Sequence, residues 1–235
     1  MPPPTNQQLN DMREEHCFAV THEKKYYRDG QTFIKRSLKP SEWQKHNGYM
    51  HIPLFNPERV LNEGACIRYL TEHTTIPLPK LYTCFEDDCA AYVITEYVEG
   101  VEMTSLEDAQ REIVTKELET HLQTLKELKS NIWGGPTGAV LPPYRVMRTS
   151  NGRPWRLRPR ETKDLVFCHN DLSANNVIVD PDTLAIKAII DWEYAGFYPP
   201  EFEAEFFRRR GPSVALAGEV DDVDVLVGML NKDKE

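Results

Sequence analysis

LVFCHNDLSANNVIVDPDTLAIKAIIDWEYAGFYPP, residues 165–200, is the stretch on which the reading of the chain turns. Leu165–Cys168 is an apolar run of strand length, and it ends in His169-Asn170-Asp171. Asn176 follows in the same loop, before the short strand Val177-Ile178-Val179. Asp180-Pro181-Asp182-Thr183 has turn chemistry. Ala185–Ile190 is the return strand, and it stops on Asp191. A hairpin built this way returns Asp191 to the end of the sheet from which the Asp171–Asn176 loop departs. Three oxygen-bearing side chains then converge on one rim, which suits a hard divalent cation and a proton acceptor.

Working outward, Asp29-Gly30 is a turn dipeptide between Lys24–Tyr27 and Thr32–Lys35, so a hairpin is expected there. Asn56-Pro57-Glu58 is a helix start, with Asn56 as the expected cap. Val60, Ala65, Ile67 and Leu70 supply apolar positions to about residue 72. Leu81–Phe85 and Ala90–Val98 read as strands around the turn Glu86-Asp87-Asp88. A long helix is expected over 106–129, with a capping box at Ser105 and Asp108. Its apolar face is Ile113, Val114, Leu118, Leu122, Leu125 and Leu128. Strand dominates before Gly100 and helix opens after it, which places a lobe boundary there. Residues 131–163 are irregular and basic, from Arg145 to Lys163, and read as a solvated loop.

Composition excludes several classes. The chain has 235 residues, 40% of them hydrophobic, and a formal net charge of −9. That suits a globular protein with a substantial core and argues against a general nucleic-acid binder. The five cysteines form no CxxC pair, so free thiols in a reducing compartment are expected. The first 16 residues are polar and proline-rich, carry no apolar signal core and are expected to be poorly ordered. No apolar run approaches the ~20 residues that span a bilayer. A cytoplasmic protein with no membrane partner is the expectation.

The H-x-D-L-x-x-x-N pattern at 169–176, followed by an apolar hairpin ending Ile190-Asp191-Trp192, resembles the aminoglycoside phosphotransferase-like family, relatives of protein kinases and choline kinases. In detail it is closest to fungal-type members. Asp191-Trp192-Glu193 stands where protein kinases have Asp-Phe-Gly, and no Ala-Pro-Glu segment follows, which favours the small-molecule branch over a protein kinase. The resemblance implies an α+β, protein-kinase-like two-lobed fold. An N-terminal antiparallel sheet lobe with one helix (1–98) would bind nucleotide, and a mainly helical lobe (99–235) would carry the catalytic hairpin. It implies an ATP- and magnesium-dependent phosphotransferase acting on a hydroxyl of a small molecule.

By the same resemblance Asp171 orients the acceptor hydroxyl and takes its proton, while Asn176 and Asp191 hold Mg2+. Lys35, in Phe33-Ile34-Lys35, neutralises nucleotide phosphates and is aligned by Glu63. Ile94–Gly100 resembles the hinge that holds adenine, with Glu96 and Val98 as its contacts. His169 reads as a structural hydrogen-bonder, Trp192 and Tyr194 as packing residues, and Glu201, Glu203 and Glu205 as a solvated helix face in preference to the lining of an acceptor site. Two departures stand out. Nothing before Lys35 reads as a phosphate-covering glycine loop, since Gly30 sits in the hairpin turn. Only 44 residues follow Asp191 (235 − 191), so a small or open acceptor pocket is expected. These departures sustain an alternative, a catalytically weak or inactive kinase-like scaffold.

Overall fold

The structure is a computed structural model describing residues 14–46, 48–150 and 155–231, with isolated positions before residue 14. The expectation of poor order at the start of the chain falls largely outside these residues, as does Arg153 of the basic stretch.

The first half supplies β1 (Cys17–Val20), β2 (Lys24–Asp29), β3 (Thr32–Ser37), β4 (Lys45–His46), β5 (Tyr49–Met50), β6 (Leu81–Asp87) and β7 (Ala90–Glu96). Five of them build one antiparallel sheet in the order β1-β2-β3-β7-β6, while the two-residue strands β4 and β5 pair outside it. The β2–β3 hairpin turns at Gly30, whose φ of +54° lies in the left-handed region that glycine occupies without strain. The β6–β7 turn falls on Asp88-Cys89, both left-handed at φ 49° and 60°, one residue later than the acidic run suggested. Two consecutive left-handed residues match the strand twist of a tight hairpin.

Helix α1 (Asn56–His73) lies on this sheet. Val60 meets Ala91 and Val93 beneath it. The contact is close because Gly64 faces Cys84: a Cβ there would sit 2.6 Å from the Cys84 side chain. Asn56 does not cap the helix. Phe55 holds the cap position at φ 50°, and Asn56 instead donates from Nδ2 to the Glu23 carbonyl, a tether to the β1–β2 turn. Local capping preference yields here to a long-range bond.

After the short strand β8 (Val101–Glu102) comes α2 (Asp108–Glu127). Its buried stripe is Val114, Leu118, Leu122 and Leu125, with Leu128 half-buried beyond it. Each such leucine stabilises the fold by about 1.5–3 kcal/mol. Ile113 is 56% exposed, one position off that stripe, so the expected face is narrower by one residue. The helix start also differs. Gln110 Oε1 accepts the Glu107 N–H at 3.1 Å, while Ser105 Oγ donates backwards to the Glu102 carbonyl.

The remaining strands are β9 (Lys129–Ser130), β10 (Leu165–Cys168), β11 (Val177–Val179), β12 (Ile186–Ile189) and β13 (Gly196–Tyr198). They form two three-stranded sheets, β13-β10-β9 and β12-β11-β8. Two short helices, α3 (Tyr144–Ser150) and α4 (Val223–Leu230), pack together. The first of these falls inside the stretch that reads as irregular loop. The largest core cluster joins α1, α2 and the β11–β12 hairpin through Ile67, Leu118, Phe167, Val177 and Trp192. An antiparallel sheet lobe thus faces a second lobe across the hairpin, as the sequence led us to expect.

Candidate active site

Asp171 leaves the end of β10 on a loop that is tied to itself. Asn176 Nδ2 donates to the Asp171 carbonyl at 2.7 Å, and Ser173 N donates to the same oxygen at 3.0 Å. Ile190 N donates to the Asn176 carbonyl at 2.9 Å, and His169 Nε2 pairs with the Ile190 carbonyl at 2.9 Å. This lacing fastens the loop to the residue preceding Asp191. Two backbone amides and the Asn176 and His169 side chains together tie the Asp171–Asn176 loop to Ile190, next to Asp191. Two non-glycine residues bend left-handed here, Asn170 at φ 70° and Asp191 at φ 68°. Such positions cost of order 1–3 kcal/mol and persist where the surroundings over-determine them.

His169 is fully buried, and burial holds its imidazole down at about 4. A neutral ring locked to a carbonyl is a structural hydrogen-bonder, as expected. Asp171 shifts the other way. Burial first, and then the neighbouring Asp191, push its carboxyl above the usual carboxylate range.

Lys35 comes from β3 and Glu63 from α1, and they meet at 2.7 Å. Lys35 Nζ also contacts Asp191 and lies 3.3 Å from Glu193. Burial alone would lower its pKa, but these three carboxylates raise it well above the usual lysine value, so it stays charged. Four carboxylates, Glu23, Glu63, Asp191 and Glu193, face three cations, Lys24, Lys35 and Arg59. Glu63 absorbs the excess: burial, with Asp191 and Glu193, holds its carboxyl high in spite of Lys35.

A cavity of ≈ 330 Å³ opens beside this cluster, and Lys35, Glu63, Asp191, Glu96 and Val98 are among the residues that line it. Ile178 and Ile190 from the hairpin line it as well. Gly100 lets the chain pass close beneath: a Cβ there would lie 2.7 Å from the Val179 carbonyl. All seven sequence-named positions thus fall on the cavity or on the loop laced to it. Asp191 is a third exposed, and Asn176 keeps Oδ1 as an acceptor while its Nδ2 is committed. A partly exposed carboxylate and an amide oxygen are donors of the kind that Mg2+ takes.

The β1–β2 turn Thr21-His22-Glu23 contains no glycine, and two of its three amides are bonded locally. Thr21 N donates to the Lys24 carbonyl at 2.8 Å, and Glu23 N and Lys24 N donate to Thr21 Oγ1. A short first strand does form, but it does not lead into an open cradle of amides.

Three polar residues escaped sequence reasoning. Glu193 is buried and bonds Lys24 at 2.8 Å and Arg59 at 3.2 Å. Burial would push its carboxyl up, yet Lys24, Lys35 and Arg59 hold it well below the usual range. Glu203 is no solvated face residue. It accepts the His169 N–H, its Oε1 is sealed from solvent without a partner, and burial lifts its carboxyl to about 7. Arg145 is buried rather than solvated, forked onto Asp222 at 2.8 and 2.7 Å and donating to the Asn170 carbonyl at 3.3 Å. Trp192 and Tyr194 are buried packing residues, as expected.

Comparisons with known proteins agree with this architecture. Residues 139–204 match the model of the phosphotransferase enzyme family. That segment includes Asp171, Asn176 and Asp191, and leaves Lys35, Glu63, Glu96 and Val98 outside. The chain is 30% identical over 152 residues to an aminoglycoside 3'-phosphotransferase of Streptomyces fradiae, covering 55% of this chain and 56% of that protein. It is 46% identical over 44 residues to a probable choline kinase 1 of Arabidopsis thaliana, 19% of this chain and 12% of that one. The chain thus spans about half or less of the curated relatives it matches. Among solved structures, the type VIII aminoglycoside-3'-phosphotransferase superposes with a TM-score of 0.52 at 20% identity, covering 83% of this chain and 79% of that one. The aminoglycoside phosphotransferase APH(3'')-Id from Streptomyces rimosus gives 0.55 at 19% identity, with 82% and 76% covered. The chain therefore has the fold of the aminoglycoside phosphotransferases and resembles the phosphotransferase enzyme family in sequence across residues 139–204.

Proposed function

We propose that this chain is an ATP- and Mg2+-dependent phosphotransferase that acts on a hydroxyl of a small molecule. Residues 1–98 act as the nucleotide-binding lobe and residues 99–235 as the catalytic lobe. The observation that carries the reading is Lys35: paired with Glu63, it reaches Asp191 in a cavity that Glu96 and Val98 also line. A buried lysine tied to a helix glutamate and reaching an aspartate that can take a metal is the arrangement by which kinases position nucleotide phosphates. A neighbour of the same fold, a thermostable APH(4)-Ia variant (15% identical, TM-score 0.51), has been seen in a ternary complex with AMP-PNP and hygromycin B, which supports nucleotide binding in this cleft.

In this reading Glu96 and Val98 hold the adenine through backbone groups, and Lys35 neutralises phosphate oxygens. Asn176 and Asp191 hold Mg2+, which when bound shields charge on the phosphates. Asp171, on its laced loop, orients the acceptor hydroxyl and takes its proton. Ionisation of Asp171 is opposed by burial and by Asp191, so cationic charge nearby favours its basic form. Most of the work is positioning and charge neutralisation.

A second reading, a weak or inactive kinase-like scaffold, is favoured by one observation. The β1–β2 turn contains no glycine, and its Thr21 and Glu23 amides are engaged. Titration calorimetry of ATP, with and without Mg2+, separates the two. Magnesium-dependent binding that Asp191→Ala abolishes supports the phosphotransferase. Absence of binding to the wild type removes that reading and leaves the scaffold.

A further inference from the structure

At the outer edge of the ion network, where Glu23 pairs with Arg59, His22, Glu23 and His51 bring their ligand atoms within 4.8 Å of one another. His22 and Glu23 belong to the β1–β2 turn, and His51 to the stretch that leads into α1. The two segments are fastened together. Asn56 donates to the Glu23 carbonyl, and Leu38 N donates to the same oxygen at 2.9 Å. His51 N is held by the Gln44 carbonyl at 2.9 Å. The two imidazoles stand 4.9 Å apart, edge to face at 71°, and both are exposed.

We infer that His22, Glu23 and His51 form a zinc site, with water completing the coordination. Two imidazole nitrogens and one carboxylate oxygen are a set that zinc accepts and that magnesium and calcium do not select. Zinc–nitrogen bonds of about 2.0–2.1 Å put tetrahedral donors roughly 3.4 Å apart, so rotations of the two exposed rings close the site. Arg59 holds Glu23 Oε2 at 2.8 Å, a charged partner of the kind that fixes the ligating carboxylates of metal sites. The other such trio among the described residues, Glu63, Asp191 and Glu193, differs in kind: it is all carboxylate, and Lys35 already contacts each of the three. The site does not depend on the phosphotransferase reading.

The test is ZnCl2 titration by calorimetry on the full chain after chelator treatment, alongside His22→Ala, His51→Ala and His121→Ala. Folding of each variant is checked by circular dichroism. The expected result is one zinc per chain, weakened at least tenfold by His22→Ala and by His51→Ala and unchanged by His121→Ala. Co2+ substitution then gives d–d absorption without a thiolate charge-transfer band. Failure of the wild type to bind, equal binding by the folded His22 and His51 variants, or a thiolate band from a cysteine site would each overturn the proposal.

Discussion

Replacing Glu193 by alanine should be among the most damaging single changes in the chain. Lys24 and Arg59 are 3% and 1% exposed, and both bond this carboxylate. Arg59 would keep Glu23 at 2.8 Å and the Tyr194 ring at 5.3 Å, and Lys35 would keep Glu63 and Asp191. Lys24 would keep only Glu23, at 3.6 Å. One buried cation is therefore left almost uncompensated, a loss at the low end of the 3–5 kcal/mol seen for broken buried pairs, about 3 kcal/mol. For a chain of this size that corresponds to a melting point lower by roughly 6–12 °C. Glu193→Gln keeps an acceptor and loses the charge, so it should fall between. Glu112→Ala, on the exposed side of α2, should stay within about 0.5 kcal/mol of wild type. The assay is thermal denaturation followed by circular dichroism, repeated across pH. Because the folded carboxyl lies below its unfolded value of about 4.3, its contribution is present above that pH and fades as pH falls further. The alanine variant should therefore lose less stability than wild type on acidification. If Glu193→Ala melts with Glu112→Ala, the ion network does not hold these elements together and the reasoning fails.

Asp171→Ala should abolish phosphoryl transfer while leaving the melting point within a few degrees and nucleotide binding in place; residual turnover above about one per cent in a coupled ADP assay would contradict its role as base. Glu203, raised to about 7 by burial, contributes stability below the ordinary carboxylate pKa and loses it as pH climbs through about 7. Denaturant midpoints of the wild type should therefore decline from pH 5 to 8, whereas Glu203→Gln should flatten that decline. Gly64→Ala places a Cβ 2.6 Å from Cys84 and should push α1 off the sheet, costing about 1–3 kcal/mol in chemical denaturation. An unchanged midpoint would show that the helix has slack there.

What could be read from the chain was what is encoded locally. Asp29-Gly30, Asp180–Thr183 and the strand lengths between them fix two hairpins, and the second brings Asp191 back to Asp171 and Asn176. Pro57 marks the start of one helix, and the spacing of Val114, Leu118, Leu122 and Leu125 marks the other. Lys35, Glu63, Glu96 and Val98 had no local signal of their own and were found through resemblance. Glu193, Arg145 and Glu203 went unread for a physical reason. Their partners lie far along the chain, Lys24 for Glu193, Asp222 for Arg145 and the His169 amide for Glu203. A charged residue looks the same in sequence whether it meets water or a buried counter-ion. Asn56 misled in the same way, because a good capping residue was recruited for a distant carbonyl.

The seam along α1 has a consequence for motion. Asn62 Nδ2 bonds the Glu193 and Ala195 carbonyls at 3.1 and 2.9 Å, and Arg59 reaches from the same helix to both Glu23 and Glu193. The β1–β2 turn, α1 and the segment after Asp191 are thus bolted into one block that bridges the two lobes. The cleft is bound along two edges, the Glu96–Val98 strip and this seam, like a book stitched on two adjacent sides. Wide swinging of one lobe against the other would have to tear buried ion pairs. Displacements of side chains and loops at the open rim break none of these pairs, and such small movements run on faster timescales than whole-domain rotation.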